Sequence, residues 1–141
     1  MKAERARLQR LQRLERVRAI AKQAAAQEAA AAESTLAQLE ALAERTRRLA
    51  ADYAGRNEAQ DGASLHPIGR FAGGLQHIYS RTASDAAQAR RIADNKMAEL
   101  AVAERRRSIV EEHANKKARH IATRSETPSL GARKGFGTGL E

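Results

Sequence analysis

Hydrophobic residues recur every three or four positions along two alanine-rich tracts of the chain, residues 3–55 and 65–124. This spacing puts apolar side chains along one side of an α-helix, so each tract is predicted to form one helix. The pattern is interrupted over residues 56–64, which include asparagine, aspartate and glycine, the residues typical of turns. The two helices are therefore predicted to fold back on each other as an antiparallel hairpin.

The spacing within each tract predicts which side of each helix faces the other. In the first helix, steps of three and four residues are typical of a coiled-coil seam. That stripe consists of Leu39, Leu42, Thr46, Leu49 and Tyr53. The second helix carries an unbroken seven-residue series that consists of Ile68, Leu75, Thr82, Ala89, Lys96, Ala103, Val110 and Lys117. Phe71 and Ile78 flank its beginning. Near the N-terminus, apolar residues recur every three positions from Leu8 to Ile20, so there the stripe is expected to drift around the helix.

These patterns predict an all-α fold class: a long two-helix antiparallel coiled-coil hairpin, spanning residues 1–124, with a disordered C-terminal tail. From residue 125 onward the sequence has Pro128, four glycines and no hydrophobic period, so residues 125–141 are predicted to be disordered. The chain has two Tyr, two Phe and no Trp, and alanine supplies much of its apolar fraction. This composition argues against a deep globular core.

No pattern of catalytic or metal-binding residues is found in the sequence. Cysteine is absent, which excludes disulfides, thiolate metal ligands and cysteine nucleophiles. His113 and His120 lie two helical turns apart, but no third ligand accompanies them. Phosphate-binding loops, zinc-protease motifs and nucleophile elbows are also missing. We therefore expect a non-enzymatic protein with no catalytic site, no bound metal and no cofactor.

The N-terminal segment is basic and amphipathic, with an arginine every two or three residues over residues 1–20. A secretory signal would need an uninterrupted apolar stretch there, and a membrane span about 20 such residues. Neither is found, and the absence of cysteine fits a reducing compartment. A cytoplasmic location is therefore expected.

The formal net charge of +9 is distributed unevenly along the chain. Residues 1–22 carry eight Lys or Arg and two acidic residues, and residues 101–124 carry seven and three. Residues 23–64 carry four basic and seven acidic residues. A hairpin would bring both basic segments to the same end, where like charges on adjacent helices repel. An acidic partner at that end is the predicted consequence.

Four interpretations of the basic segments stay open: a solvated, ion-paired coiled-coil flank, a nucleic-acid site, an anionic membrane site, or docking on an acidic protein pocket. Aromatic residues on which bases would stack are not interleaved with the basic ones. Residues 1–22 mix Leu with Arg as interfacial helices do, but lack Trp or Phe anchors. Near the turn, Tyr53, Phe71 and Ile78 are expected to form either the core of the hairpin or an outward apolar patch for a partner.

Four segments, taken in order, resemble the FliJ family of flagellar type III export stalk proteins. The segments are LQRLQRLERVRA, RRLAADY, FAGGLQHI and ERRRSIVEEHANKKAR, and the resemblance covers about residues 5–124. It implies a non-enzymatic stalk, similar in shape to the shaft of rotary ATP synthases, which inserts its open end into the ring of the export ATPase. It also implies contact with the membrane export gate, export chaperones as further partners, and peripheral association with the inner-membrane export apparatus.

The resemblance also assigns residues to the two contacts. The arginines expected to face the ATPase ring are Arg10, Arg13, Arg16, Arg105, Arg106 and Arg107. The family's gate-contacting positions fall on Leu42, Thr46, Leu49 and Tyr53 in the first helix and on Phe71, Leu75, Ile78 and Thr82 in the second. The large apolar members, Leu42, Leu49, Tyr53, Phe71, Leu75 and Ile78, are the predicted gate contacts. The alternative function is that of a basic coiled coil that binds nucleic acid.

Overall fold

The chain folds as two packed helices in the computed structural model, which describes the backbone of residues 1–57 and 62–134 and the side chains of 1–56 and 67–127. Helix α1 is Lys2–Asn57 and helix α2 is Gly62–Lys134. Within the described residues there is no strand. Ion pairs link Glu40 to Arg90 and Glu28 to Lys96, so the helices run antiparallel. The predicted all-α hairpin is confirmed.

Helix α2 is longer than the predicted helix 65–124 at both ends. It begins at Gly62, and it continues to Lys134, through the first part of the segment predicted to be a tail. The hydroxyl groups of Ser125 and Thr127 donate hydrogen bonds to helix carbonyls three and four residues earlier, so these polar residues are accommodated within the helix. Residues 58–61 of the predicted turn, and residues 135–141 of the predicted tail, lie outside the described residues.

The helices divide into two compact units. Unit 1 comprises Met1–Ala25 and Leu100–Glu141, and unit 2 is Ala26–Glu99. In each unit the buried and half-buried positions alternate in steps of four and three residues, as in a coiled coil. We label these columns a and d in α1, and a′ and d′ in α2, with Leu36 at a and Ala93 at a′. The other heptad positions are lettered in chain order.

Small residues fill most of the seam of unit 2. Columns a and d contain Ala29, Ala32, Leu36, Leu39, Ala43, Thr46, Ala50 and Tyr53. Columns a′ and d′ contain Ile68, Ala72, Leu75, Tyr79, Thr82, Ala86, Ala89, Ala93 and Lys96. The core cluster is Leu36, Ala89 and Ala93, and Ala93 is fully buried. Thr46 is also buried, and its hydroxyl donates to the carbonyl oxygen of Leu42 at 2.8 Å, which removes the cost of burying it.

The predicted seven-residue series of α2 is confirmed, because all eight of its positions are buried or half-buried.

The predicted α1 stripe is only partly correct. Leu42 and Leu49 are exposed, and the neighbouring Ala43 and Ala50 take the seam positions. Phe71 and Ile78 are likewise outside the seam, at about half exposure. Alanine therefore fills the seam at these two positions of α1, and the neighbouring leucines lie beside the seam at about half exposure.

In unit 1, charged residues occupy many of the seam positions. The α1 columns contain Glu4, Leu8, Leu11, Glu15, Arg18, Lys22 and Ala25, and those of α2 contain Leu100, Ala103, Arg107, Val110, Ala114, Lys117 and Ile121. The apolar stripe was expected to drift around α1, and its later members do leave the seam. Val17 and Ile20 are 60% and 67% exposed. The seam itself keeps its register, because Glu15, Arg18 and Lys22 continue it.

Candidate docking surfaces

Unit 1 contains both basic segments and all six predicted ATPase-docking arginines. Five of these six side chains are exposed and form no ion pair with any described residue: Arg10, Arg13, Arg16, Arg105 and Arg106. Only Arg16 makes a hydrogen bond, a long one from its Nε to the carbonyl of Gln12. An exposed arginine without a carboxylate partner presents its charge and its fork of donors to another molecule.

Arg107 differs from the other five because it lies half-buried in column a′. It donates two hydrogen bonds to the carboxylate of Glu104, at 3.0 and 2.9 Å, and a third to Glu111 at 2.7 Å. These bonds raise the pKa of Arg107 above its ordinary value. Its charge is therefore balanced within α2, and the structure gives Arg107 a role inside unit 1.

Glu104 links the two helices of unit 1. It accepts the hydrogen bonds of Arg107, and its Oε2 lies 2.8 Å from the Nζ of Lys22 on α1. The bonds from Arg107 and then from Lys22 lower the pKa of Glu104 to about 2. The sequence reasoning missed this residue. The sequence does contain a pattern that identifies it: Glu104, Arg107 and Glu111 are three and four residues apart and so lie on one side of a helix.

A second ion-pair cluster surrounds Glu4 near the start of α1. Its Oε1 lies 2.9 Å from Arg124, 4.0 Å from Lys117 and 3.9 Å from His120. Partial desolvation raises the pKa of Glu4, but Arg124 and Lys117 outweigh it, so the pKa lies below its ordinary value. The N-terminal turn of α1 is thereby tied to residues 117–124 of α2.

Arg107→Met is expected to move the pKa of Glu104 up from about 2 toward its ordinary value of 4.5, because the strongest donor to the carboxylate is lost. A carboxylate whose pKa is lowered by folding stabilises the folded state above its unfolded pKa, and that contribution disappears as pH falls toward the folded pKa. Unit 1 should therefore lose stability between about pH 4.5 and pH 2, and the variant should lose less over that range. NMR titration of the Glu104 carboxyl carbon measures the shift.

Arg106→Met is the matched control, since Arg106 is the exposed, unpaired neighbour of Arg107. It should leave the pKa of Glu104 near 2. An equal rise in both variants would show that the general positive charge of unit 1 lowers this pKa, and not the hydrogen bonds of Arg107.

The predicted gate contacts divide into two groups in unit 2. Tyr53 and Leu75 occupy seam columns and are half-buried. Leu42, Leu49, Phe71 and Ile78 are all between 42% and 51% exposed. Leu42 and Leu49 lie seven residues apart, as do Phe71 and Ile78, so each pair occupies one side of its helix. All four hold position g of their helix.

Contacts across the seam show that the g positions of both helices share one flank of unit 2. Phe71, at g′, packs edge-on against Tyr53 at d, with ring centroids 4.7 Å apart. Glu28, at g, contacts Lys96 at d′. On the opposite flank Glu40 at e contacts Arg90 at e′. We name the side formed by Leu42, Leu49, Phe71 and Ile78 the apolar flank. Exposed apolar groups clustered in this way mark a site for a partner.

The opposite flank of unit 2 has a depression that is open to solvent. Its floor is formed by Ala43, Ala83, Ala86 and Ala87, and its rim by Glu40, Glu44, Tyr79 and Arg90. Glu40 and Arg90 bind each other, and Glu44 is bound to Arg47 and Arg48. The charged groups of the rim are thus already paired.

The described residues lack two other kinds of feature. They contain no group of three or more His, Cys, Asp or Glu side chains that could hold a metal ion. Neither α1 nor α2, over those residues, has an apolar stretch long enough to cross a bilayer. Comparison of the chain with protein-family models, curated proteins and solved structures gives no match.

Proposed function

We propose that this chain is a non-enzymatic stalk or adaptor of the flagellar type III export apparatus. In this role unit 1 docks in the ring of the export ATPase, and unit 2 contacts the membrane export gate. The partners and the location, on the cytoplasmic side and peripherally at the inner-membrane export apparatus, come from the resemblance to the FliJ family. Export chaperones are further proposed partners.

The observation that carries the proposal is the set of five exposed, unpaired arginines in unit 1. The acidic residues Glu104 and Glu111 lie close by but are bound to Lys22 and Arg107. Because these two carboxylates are engaged, and the five arginines form no ion pair with any described residue, the arginines are available to an acidic partner surface. Complementary charge of this kind accelerates association and fixes orientation more than it raises affinity.

The apolar flank of unit 2 supports the second contact. Its four large side chains occupy g positions, where they add little to the seam, and each is about half exposed. Buried aromatic and aliphatic anchors supply most of the energy of protein interfaces. Phe71 and the three aliphatic residues are therefore the proposed gate-binding surface, and Tyr53 and Leu75 support it from the seam.

The triple reversal Arg10→Glu, Arg13→Glu and Arg16→Glu tests the first contact. Binding of the purified chain to the export ATPase should weaken more than a hundredfold, because opposed like charges cost several kcal/mol. The remaining binding should lose most of its dependence on salt. Isothermal titration calorimetry at two salt concentrations measures both effects, and circular dichroism checks that helicity is retained.

The matched control reverses Arg45, Arg81 and Arg91, which are exposed and without ion pairs in unit 2. This variant has the same net charge and should bind the ATPase as the wild type does. Equal weakening of ATPase binding in both variants would contradict the proposal that unit 1 is the docking surface. Tight, salt-sensitive binding to a short DNA or RNA duplex, without binding to the ATPase, would instead establish the nucleic-acid alternative.

A further inference from the structure

In unit 1, exposed cations and aliphatic residues lie at heptad positions c and g of both helices. The cations are Arg7, Arg10, Arg106 and Lys116, all of them exposed. The aliphatic residues are Leu14, Val17, Val102 and Ile109, also exposed. Sequence spacing alone did not group these eight residues, because the grouping depends on which side of each helix is buried. We name them the basic–aliphatic face.

Two contacts show that the g positions of both helices lie on the same side of unit 1. Glu4 at d approaches His120 at g′, with 3.9 Å between their side-chain atoms. Lys22 at a binds Glu104 at e′ on the other side. Position c adjoins g on the surface of a helix and lies farther from the seam. The c and g positions of α1 and α2 therefore form one continuous side.

No carboxylate occupies a c or g position in the part of unit 1 that the structure describes. The acidic residues of α1 in this unit, Glu4 and Glu15, are in the seam columns. Those of α2 hold e′ and f′ positions, where Glu104 and Glu111 are engaged by Arg107. The face therefore combines only positive, neutral polar and apolar groups, although unit 1 as a whole contains both signs of charge.

We propose that the basic–aliphatic face binds the surface of an anionic lipid bilayer. Interfacial helices bind by inserting apolar side chains about 5–10 Å deep while lysine and arginine meet anionic headgroups. Val17 and Ile109, at 60% and 55% exposure, hold c positions at the crest of their helices, and the cations lie beside them. Side chains that project in this way can enter the surface of a deformable bilayer, which needs no preformed pocket to receive them.

Other occupants fit the face less well. A nucleic acid would set phosphates against Val17 and Ile109, and the described residues of unit 1 include no Phe, Tyr or Trp ring for base stacking. A single helix from another protein would need a groove, whereas three of the four aliphatic residues stand on the crests of α1 and α2. The inference goes beyond the proposed function, since it requires neither the ATPase nor the export gate.

Vesicle flotation with the full chain tests the inference in the absence of any other protein. Binding should be strong to phosphatidylcholine vesicles that contain about one third phosphatidylglycerol, weak to pure phosphatidylcholine, and reduced by salt. Arg10→Gln with Arg106→Gln should lower the partition coefficient about 30-fold, because each cation near an anionic bilayer contributes about 1 kcal/mol, or roughly fivefold in binding. Val17→Ser with Ile109→Ser should lower it about tenfold while leaving its salt dependence unchanged.

The matched control is Arg16→Gln with Arg105→Gln, which removes the same charge from positions b and f′. It should reduce vesicle binding only a few-fold. A loss as large as that of the first pair would overturn the face assignment, as would undiminished binding after the aliphatic substitutions. No flotation with anionic vesicles at low salt would overturn the lipid assignment outright. The flotation assay contains no ATPase, so neither outcome bears on the proposed function. That function is tested separately by calorimetric titration against the ATPase.

Discussion

Leu36→Ala is expected to destabilise the hairpin by about 2–4 kcal/mol, whereas Leu42→Ala should change its stability by only about 0.5 kcal/mol. Leu36 is 6% exposed and packs in the core cluster with Ala89 and Ala93, while Leu42 is 47% exposed on the apolar flank. The seam around Leu36 consists mainly of alanine, so few neighbouring side chains are large enough to fill the space it leaves. The loss of contacts is therefore only partly recovered by relaxation.

The two substitutions form a matched pair, because both remove the same atoms from α1 and gain the same helix propensity. Urea unfolding followed by circular dichroism measures the free energies. Equal losses in the two variants would mean that Leu42 shares the seam, as the sequence pattern suggests, and would contradict the alanine columns Ala43 and Ala50.

Phe71→Ala is expected to weaken the proposed binding to the export gate by about 30-fold or more, the effect of losing one aromatic anchor from an interface. Its cost in stability should stay near 1 kcal/mol, since the ring is 51% exposed and its packing within the chain is the edge-on contact with Tyr53. A residue used only for the core would show the reverse: a large loss of stability, with binding retained at temperatures where the chain is folded.

Met97→Ala serves as the control for Phe71→Ala. Met97 is 47% exposed and lies on the opposite flank of unit 2, at position e′, so its truncation removes exposed apolar surface away from the proposed site. Gate binding measured by surface plasmon resonance should be unchanged in this variant. Comparable weakening by both substitutions would argue that the apolar flank is not the gate-binding surface.

Much of the fold could be predicted because its signals are local. Two apolar periods with a polar, glycine-containing break predict two helices and a hairpin. In α2 the seven-residue series was predicted correctly, since its positions repeat without a competing series of larger residues. Helix α2 continues past residue 124 to Lys134, into a segment whose proline and glycines predict a tail.

The seam of α1 shows where local reasoning fails. The predicted and observed columns share Leu39, Thr46 and Tyr53, and differ only in taking Leu42 or Ala43, and Leu49 or Ala50. Both choices keep steps of three and four. Leucine buries more apolar area, so the sequence pattern favours it. The folded chain instead buries Ala43 and Ala50 and leaves Leu42 and Leu49 exposed, and this choice depends on the partner helix.

The sequence alone determined the helical character, the antiparallel pairing and the clustering of positive charge, because each follows from the order of residues along one chain. Only the tertiary structure decided which side chains are available. It brought the Nζ of Lys22 on α1 within 2.8 Å of Glu104 on α2, although the two residues lie far apart in the chain. It also turned Leu49 and Phe71 outward from their helices to the same flank. Burial, and the ion pairs that join the two helices, depend on the residues that the second helix brings near, and spacing along a single helix does not contain that information.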